Sequence, residues 1–240
     1  SKYFYTQVAY DQSYYSINGI YLQDQIKWGR LQALVGLRYD SYIDWVNYTK
    51  PEEVKIKQHS FLPRLGLTYT LNPNINLYGS FVKGYNPQTA SVLSNPYAGG
   101  PFEPLESNMI EIGGKSTWFK DKLIVTLSLY KIQQKNTLYS ADDASNIDLM
   151  RQIGKEESKG IEIDLNGRIT PQWSISAAYT YNEAHITDSP INTEIGRQKP
   201  NTPKQQGNIW TRYNFIDGAL KDFGVAMGTN FVTKRNVSLN

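Results

Sequence analysis

One short stretch has the residue types and spacing of a phosphate-binding site. Gly113-Gly114-Lys115-Ser116 matches the end of a phosphate-binding loop. The complete motif needs a glycine at the position that Met109 occupies, and it needs a loop leading into a helix. The residues around it instead alternate between apolar and polar in the manner of a strand. We therefore predict no nucleotide site here.

The histidines offer little for metal or nucleophilic chemistry. The chain has 2 His and no Cys, and His59 and His185 lie far apart with no ligand spacing around them. His185, Asp188 and Ser189 fall within five consecutive residues, which could hardly hold the geometry of a catalytic triad. The sequence thus predicts no catalytic residue and no metal ligand. A hydrolase built into a barrel stays open as an alternative, although no base is placed to activate a nucleophile.

Composition limits the remaining classes. The 240 residues are 40% hydrophobic and 13% aromatic, which favours a folded chain over a disordered one. The 25 basic and 22 acidic residues form no basic stripe, so nucleic acid is not expected as a partner. Apolar runs such as Ala33–Leu37 fall far short of the roughly 18 residues that a membrane-spanning helix requires.

The elements that must position any site are strands. Segments of about ten residues with a two-residue period recur along the whole chain, and a helical period is almost absent. The ten segments are Gly19–Trp28, Leu31–Ser41, Ser60–Thr70, Ile75–Tyr85, Met109–Trp118, Leu123–Lys135, Lys159–Arg168, Trp173–Glu183, Gln205–Tyr213 and Phe223–Val232. The sequence therefore predicts an all-β, antiparallel fold.

The connections alternate in length. Gly29-Arg30, Leu71–Asn74, Phe119–Lys122 and Ile169–Gln172 are short, and the connections between them are long and polar. Short turns at one end and long loops at the other are typical of an outer-membrane barrel, which has tight periplasmic turns and long extracellular loops.

The two faces of the strands support this interpretation. One parity is apolar, as in Ile161, Ile163 and Leu165, and the other is polar, as in Glu162 and Asp164. Three tryptophans fall on the apolar parity beside short turns, where an interfacial aromatic belt would lie: Trp28, Trp118 and Trp173. The pattern predicts that the apolar parity faces lipid and the polar parity a wet lumen. The alternative is that these tryptophans cover the open end of a sandwich core.

Several stretches together resemble the TonB-dependent ferric-siderophore receptors of Gram-negative outer membranes. In chain order they are GIYLQDQIKW with LVGLRYD, NLYGSFVKGYNPQ, LESNMIEIGGKSTWFKDKLIVTLSLYKIQQKN, QIGKEESKGIEIDLNGRITPQWSISAAYTYNEAHITD, and PNTPKQQGNIWTRYNF with GVAMGTNFV. The resemblance implies a large transmembrane barrel of roughly 22 strands filled by a separate plug domain. Residues 1–240 would be a partial barrel domain, made of internal strands without the plug and the C-terminal strands. A closed ten-stranded barrel is the alternative.

The resemblance also implies a function. The receptor would capture a ferric siderophore at the cell surface and import it, driven through the plug by the inner-membrane TonB complex. The iron would be carried within the ligand, so no cofactor is expected, and the other contacts would be with outer-membrane lipid. Receptors of the same architecture for cobalamin, haem or glycans remain an alternative, as does a plugless surface binding barrel.

Candidate binding residues follow from the kind of ligand. A siderophore presents an organic exterior, which favours aromatic and hydrogen-bonding side chains. The extracellular candidates are Tyr85, Tyr97, Phe102 and Tyr139. The candidates for the lumen wall are Arg38, Asp40, Arg64, Glu111, Lys115, Glu162 and Asp164. The simpler alternatives are that the aromatic residues pack the loops or belong to the outer belt, and that the charges pair across strands.

Three glycines on the lumen parity add a further expectation. Gly36, Gly66 and Gly160 would leave room for whatever fills the barrel, since glycine weakens a strand unless something approaches it closely. Relief at a strand bend is the alternative.

Overall fold

A computed structural model describes residues 13–51, 53–141 and 143–238. The described chain is one antiparallel sheet of ten strands in which every strand pairs with its neighbour in sequence. The strands are β1 (Tyr14–Trp28), β2 (Leu31–Val46), β3 (Val54–Asn72), β4 (Ile75–Asn86), β5 (Leu105–Trp118), β6 (Leu123–Ser140), β7 (Met150–Arg168), β8 (Trp173–Asp188), β9 (Gln205–Asn214) and β10 (Gly224–Val232). A short helix, α1 (Ala90–Leu93), lies between β4 and β5, and 3-10 turns occupy Asn192–Glu194 and Gly218–Leu220.

All ten predicted strands are present, but several extend further at one end. The strands β2, β3, β7 and β8 are 16, 19, 19 and 16 residues long, and their extra residues lie beside the long loops. The sequence of these extensions does not alternate cleanly, as RQIGKEES at the start of β7 shows. Period-two patterning depends on one apolar face, so it fades where both faces of a strand are polar.

The short connections all lie at the same edge of the sheet, called here the turn end. Gly29 and Arg30 form a two-residue turn between β1 and β2, and Gly29 has a φ of +58°, which glycine adopts without a steric penalty. The long connections 87–104, 141–149 and 189–204 lie at the opposite edge, called the loop end. Among the described residues, no helix is long and apolar enough to cross a membrane.

The sheet has one apolar and one polar face. The register aligns Val35 with Leu65 and Leu127 with Ile163, so apolar rows run continuously across neighbouring strands. Exposed members of the apolar face include Val35, Leu37, Leu65, Leu67, Leu77, Ile110, Ile112, Leu127, Leu129 and Ile161. An exposed apolar surface of this extent is not stable in water and marks contact with lipid or another protein.

Tyrosines pack onto glycines of the neighbouring strand on the polar face. A Cβ added at Gly113 would lie 2.6 Å from the hydroxyl oxygen of Tyr78, and one added at Gly160 would lie 2.6 Å from that of Tyr130. Each ring covers backbone that the glycine leaves bare, which is a known way to stabilise strands containing glycine. The chain's own residues therefore use the space at these glycines.

Side chains also occupy the space that was expected to be empty above Gly36 and Gly160. The side chain of Arg64 lies over Gly36, where an added Cβ would be 2.8 Å from the Arg64 Cγ, and Tyr130 covers Gly160. Only Gly66 has comparatively open surroundings, with Leu34 Cβ at 3.7 Å. The expectation that Gly36 and Gly160 leave room for a lumen occupant is thus wrong for the immediate space above them.

Candidate functional site

The loop end of the polar face is the most elaborately constructed part of the molecule. Most of the buried side chains of the described chain lie here, in the loops and in the strand ends beside them, and they include Ala90, Ala98, Ile153 and Ile186. The sheet below is one layer thick and buries little on its own. This arrangement makes the loop end the candidate site.

The 87–104 loop folds over the polar face and is held by β2 and β3. The backbone N–H of Ala90 donates to Asp44 Oδ2 at 2.7 Å in a buried position. The side-chain amide of Gln58 donates to the carbonyl of Gln88 at 3.0 Å. Asp44 and Gln58 share the parity of Asp40 in an unbroken register, so these anchors place the loop across the polar face.

The loop also contacts the β6–β7 hairpin. The side-chain amide of Asn146 donates to the carbonyl of Tyr97 at 2.8 Å, and the N–H of Met150 donates to the carbonyl of Ala98 at 3.0 Å. The amide of Gln152 donates to the carbonyl of Glu103 at 2.6 Å. The 87–104 loop is therefore fixed at both sides, with its middle presented outward.

The 189–204 loop returns along the edge of β8. The N–H of Gly196 donates to the carbonyl of Ile186 at 2.8 Å, and that of Lys199 to the carbonyl of Ala184 at 2.9 Å. Ile153 and Ile186 are fully buried beneath this loop, with Tyr139 packed against them. This small core joins β6, β7 and β8 at the loop end.

A buried carboxylate lies beside that core. Glu156 is 2% exposed and accepts hydrogen bonds from the hydroxyls of Tyr139 and Thr137. The Nζ of Lys199 lies 2.7 Å from Glu156 Oε2, which neutralises the charge. A buried carboxylate without such partners would be strongly destabilising, so Lys199 and its loop are held in place.

A second buried ion pair fixes the tip of the 189–204 loop. Arg151 binds Glu194 through both guanidinium nitrogens, at 2.8 and 2.5 Å, and the Ser189 hydroxyl donates to Glu194 Oε2 at 2.7 Å. Burial alone would raise the pKa of Glu194, but the hydrogen bonds from Ser189 and Arg151 outweigh it and hold that pKa below its ordinary value of 4.5.

The four aromatic candidates have different surroundings. The Tyr97 side chain is 65% exposed, and Phe102 is half-buried with its ring against Gly100. Tyr85 donates to Gln58 Oε1 at 3.1 Å, and Tyr139 donates to Glu156. Tyr97 and Phe102 thus lie on the same loop, whereas the hydroxyls of Tyr85 and Tyr139 have partners within the protein.

The seven charged candidates all lie on the polar face, as the register requires. Arg38 pairs with Asp40 along the same strand at 2.8 Å, and Arg64 donates to Gln23 on a strand beyond its neighbour. The hydroxyl of Tyr78 donates to Glu111 at 2.7 Å. The expected pairing of acid and base on adjacent strands is therefore not the arrangement at these positions.

Three of these carboxylates form an acidic patch, defined as Glu111, Glu162 and Asp164. Glu162 lies one row from Glu111 and one row from Asp164 in the β5–β6–β7 register. Lys115 occupies the same row as Asp164, with Thr126 between them, and within the described chain no ion pair reaches the patch. Among the described residues, no group of His, Cys, Asp and Glu side chains is placed to hold a metal ion.

Some residues that position the loops were not predicted from the sequence. Asp44, Gln58, Glu156 and Glu194 are the main ones. They occur in segments without a clear period, and their roles depend on contacts between residues 17 to 46 positions apart. The only local signal is a polar residue within a few positions of an apolar one, as in Ile153 and Glu156, which is too common to be diagnostic.

Comparison with known sequences identifies the family. Residues 2–240 match the family described as "TonB dependent receptor-like, beta-barrel". The chain belongs to this family. The TonB-dependent receptors are transporters of the Gram-negative outer membrane rather than enzymes. In outer-membrane barrels the apolar face of the wall lies against lipid and the polar face lines the lumen.

Curated relatives of this receptor chain cover most of it at modest identity. The metal-pseudopaline receptor of Pseudomonas aeruginosa is 28% identical over 222 residues, which is 89% of this chain and 30% of the relative. The ferric-pyoverdine BN7/BN8 receptor of Pseudomonas putida is 30% identical over 201 residues, or 79% of this chain and 22% of the relative. The chain thus spans less than a third of the length of these relatives.

Solved TonB-dependent receptors share the fold. The alcaligin outer-membrane receptor FauA of Bordetella pertussis superposes with a TM-score of 0.72 at 24% identity, covering 93% of this chain and 38% of that one. The receptor FpvA of P. aeruginosa, solved with a bound pyoverdine, gives a TM-score of 0.76 at 23% identity, covering 93% and 29%. The predicted fold class, ten antiparallel strands that match part of a larger barrel wall, is confirmed.

Proposed function

We propose that the receptor containing this chain takes up ferric siderophores across the outer membrane. The observation that carries the proposal is the family match over residues 2–240, together with relatives named as receptors for ferric pyoverdine and ferrioxamine B. Iron would enter as part of the ligand, whose own donors complete its coordination. The protein's task is then to recognise an organic surface.

The 87–104 loop supplies part of the ligand site in this proposal. Its anchors at Asp44 and Gln58 hold it over the polar face, and its contacts with Asn146 fix the backbone beside Tyr97. Tyr97 and Phe102 can then offer aromatic surface to a bulky ligand at low entropic cost, because the loop is already ordered. Tyr85 and Tyr139 support the loops through their hydroxyl contacts and are assigned a secondary role.

The polar face contributes the lumen wall. We propose that residues 1–240 form part of the barrel domain, with further strands and a plug supplied by the rest of the protein. The lumen charges would contact the plug or the passing ligand, and the acidic patch would favour a cationic group opposite it because carboxylates one row apart repel each other. Energy would reach the plug from the TonB complex.

A receptor of the same architecture for cobalamin, haem or a glycan is the second candidate. Such a receptor would have the same barrel wall and lumen, and only the ligand bound by its loops would differ. One of the relatives is named a metal-pseudopaline receptor, and this name does not restrict the bound metal to iron.

Growth on single iron sources tests the proposal. A strain lacking the gene is compared with the same strain carrying it on a plasmid, on plates whose only iron is one ferric siderophore or haem, with a cobalamin-dependent strain as a further arm. We expect the plasmid to restore growth on at least one ferric siderophore. Restoration on haem or cobalamin alone would contradict the proposal and support the second candidate.

A further inference from the structure

Two lysines face each other on the lipid side of the wall. Lys131 of β6 and Lys159 of β7 are directly opposite in the register, and both share the parity of the apolar residues Leu129 and Ile161. Like charges directly opposite across two strands destabilise a sheet. Two lysines placed in this way on an apolar surface therefore need negative charge nearby, either from carboxylates of the protein or from a bound anion.

Each lysine has one carboxylate of the protein beside it, but the two contacts differ in closeness. Lys131 lies 2.9 Å from Glu157, which also accepts a hydrogen bond from Gln133 at 3.1 Å. Lys159 lies 3.9 Å from Glu183, beyond hydrogen-bond distance, and the Tyr181 hydroxyl donates to that carboxylate at 2.7 Å. The side chains of Lys131 and Lys159 are 49% and 60% exposed. Both ammonium groups are thus partly exposed and retain N–H donors for a further partner.

The pair marks the upper boundary of the apolar band. The row below it holds Leu129, Ile161 and Tyr181, and the rows below that hold Leu127, Ile163 and Tyr179. Charged residues on a lipid-facing surface are tolerated at the level of the head groups and costly at the midplane. The lysine pair therefore lies where lipid head groups begin.

An apolar groove lies on the same face, below the pair and to one side of it, across β7 to β10. It has a volume of about 290 Å³ and is lined by Ile163, Leu165, Ala177, Tyr179, Ile209 and Phe231. The small side chain of Ala177 leaves space in the groove, and the rings of Tyr179 and Phe231, with centroids 6.4 Å apart, lie at its upper side. Ile163 is four residues below Lys159, about 13 Å along the strand at ~3.3 Å per residue.

We propose that the lysine pair and the groove together bind one phosphorylated membrane lipid, with its phosphate between Lys131 and Lys159 and an acyl chain in the groove. A phosphate oxygen at this position would accept hydrogen bonds from both ammonium groups and relieve their repulsion. The groove offers an almost wholly apolar lining, which suits an acyl chain and not a head group. Because the lysine pair and the groove both lie on the apolar face, we expect the phosphate to belong to a membrane lipid and not to a soluble molecule.

The test uses the intact receptor that contains this chain, reconstituted in nanodiscs of phosphatidylcholine with a minor fraction of phosphatidic acid, whose head group is a phosphomonoester. Native mass spectrometry after release measures which lipid stays bound. We expect the wild type to retain phosphatidic acid and the Lys131→Gln/Lys159→Gln variant to lose this preference by on the order of tenfold. Ala177→Phe, which fills the groove, should lower retention of both lipids.

Matched controls separate this site from general surface charge. Lys135 and Lys155 form a second facing pair four residues further from the apolar band and therefore further from the groove. The Lys135→Gln/Lys155→Gln variant, and Ala33→Phe on the apolar face outside the groove, should leave phosphatidic acid bound. Heat-modifiable migration on gels confirms that each variant is folded.

Three results would overturn the proposal. The first is unchanged preference for phosphatidic acid in the Lys131→Gln/Lys159→Gln variant. The second is an equal loss in both lysine variants, which would indicate non-specific attraction. The third is full displacement of the lipid by inorganic phosphate, which would indicate an anion site without a role for the acyl chain.

Discussion

At the scale of single residues, contacts divide the four aromatic candidates into two classes. The hydroxyls of Tyr85 and Tyr139 donate to Gln58 and Glu156, whereas Tyr97 is exposed and the half-buried Phe102 lies against Gly100 of its own loop. Sequence alone cannot make this division, because it depends on partners far away in the chain. It can identify the loop, since aromatic residues among Pro and Gly in a long connection are visible directly.

The first prediction concerns the exposed aromatic pair. Tyr97→Ala with Phe102→Ala in the intact receptor should weaken binding of the ferric siderophore to whole cells by about tenfold or more, because aromatic anchors dominate such contacts. Receptor abundance should not change, since neither side chain belongs to a buried cluster. The matched control replaces two exposed apolar residues of other loops, Ile147→Ala with Ile191→Ala. Equal affinity in both double variants would move the site away from the 87–104 loop.

The second prediction concerns the Arg151–Glu194 pair. The pKa of Glu194 is lowered in the folded state, so its contribution is fully present above the ordinary value of 4.5 and is lost as the pH falls through the lowered pKa. A fluorescent label on Ile195→Cys should therefore keep high anisotropy at neutral pH and lose it only below that ordinary value.

The variant Glu194→Gln should show low anisotropy of the same label at every pH, because a neutral amide cannot replace the charged pair. Asp217→Asn, in the connection at the turn end, is the control and should behave like the parent. A label that stays rigid in Glu194→Gln would show that the loop does not depend on this pair.

At the scale of elements, the strands were predictable where one face is apolar and the other polar. Within the apolar band of the wall, the alternation of apolar and polar residues is sufficient to identify each strand and to assign its two faces. Towards the loop end, β7 begins at Met150 and not at the predicted Lys159, and β3 begins at Val54 and not at Ser60. These extensions are stabilised by ladder hydrogen bonds and by loops packed onto them, and neither leaves a periodic pattern in the sequence.

The third prediction tests the assignment of faces. Leu127→Arg places a charge on the apolar face and should destabilise the bilayer-inserted receptor by about 2–4 kcal/mol if the site is near the midplane. Thr126→Arg, one residue away on the polar face and opposite Asp164, should cost far less. Denaturant unfolding in lipid vesicles measures both values. Similar costs for the two variants would contradict the lipid assignment.

At the scale of the whole molecule, the ten strands form a wall with two unpaired sides. In the described chain β1 pairs only with β2 and β10 only with β9. Each unpaired backbone group in hydrocarbon costs several kcal/mol, so an open sheet cannot remain in a bilayer core. We propose that further strands of the intact receptor pair with these two sides, in keeping with the greater length of the relatives.

The fourth prediction follows for the 240 residues alone. Refolded into detergent micelles, the isolated chain should form oligomers or aggregates through β1 and β10, because exposed edges pair with other chains. Unheated gel electrophoresis and protease treatment measure this. A compact, heat-modifiable and protease-resistant monomer would show that ten strands close on themselves, as the alternative interpretation of the sequence holds.

Uptake of radioactive iron tests the central claim most directly. Cells lacking the gene, cells carrying it, and cells carrying it without a functional TonB complex are each given a ferric siderophore that supports growth. The account predicts that iron enters only when both the receptor and TonB are present, while binding at the surface needs the receptor alone. Iron uptake that is the same with and without the receptor, or that continues without TonB, would contradict it.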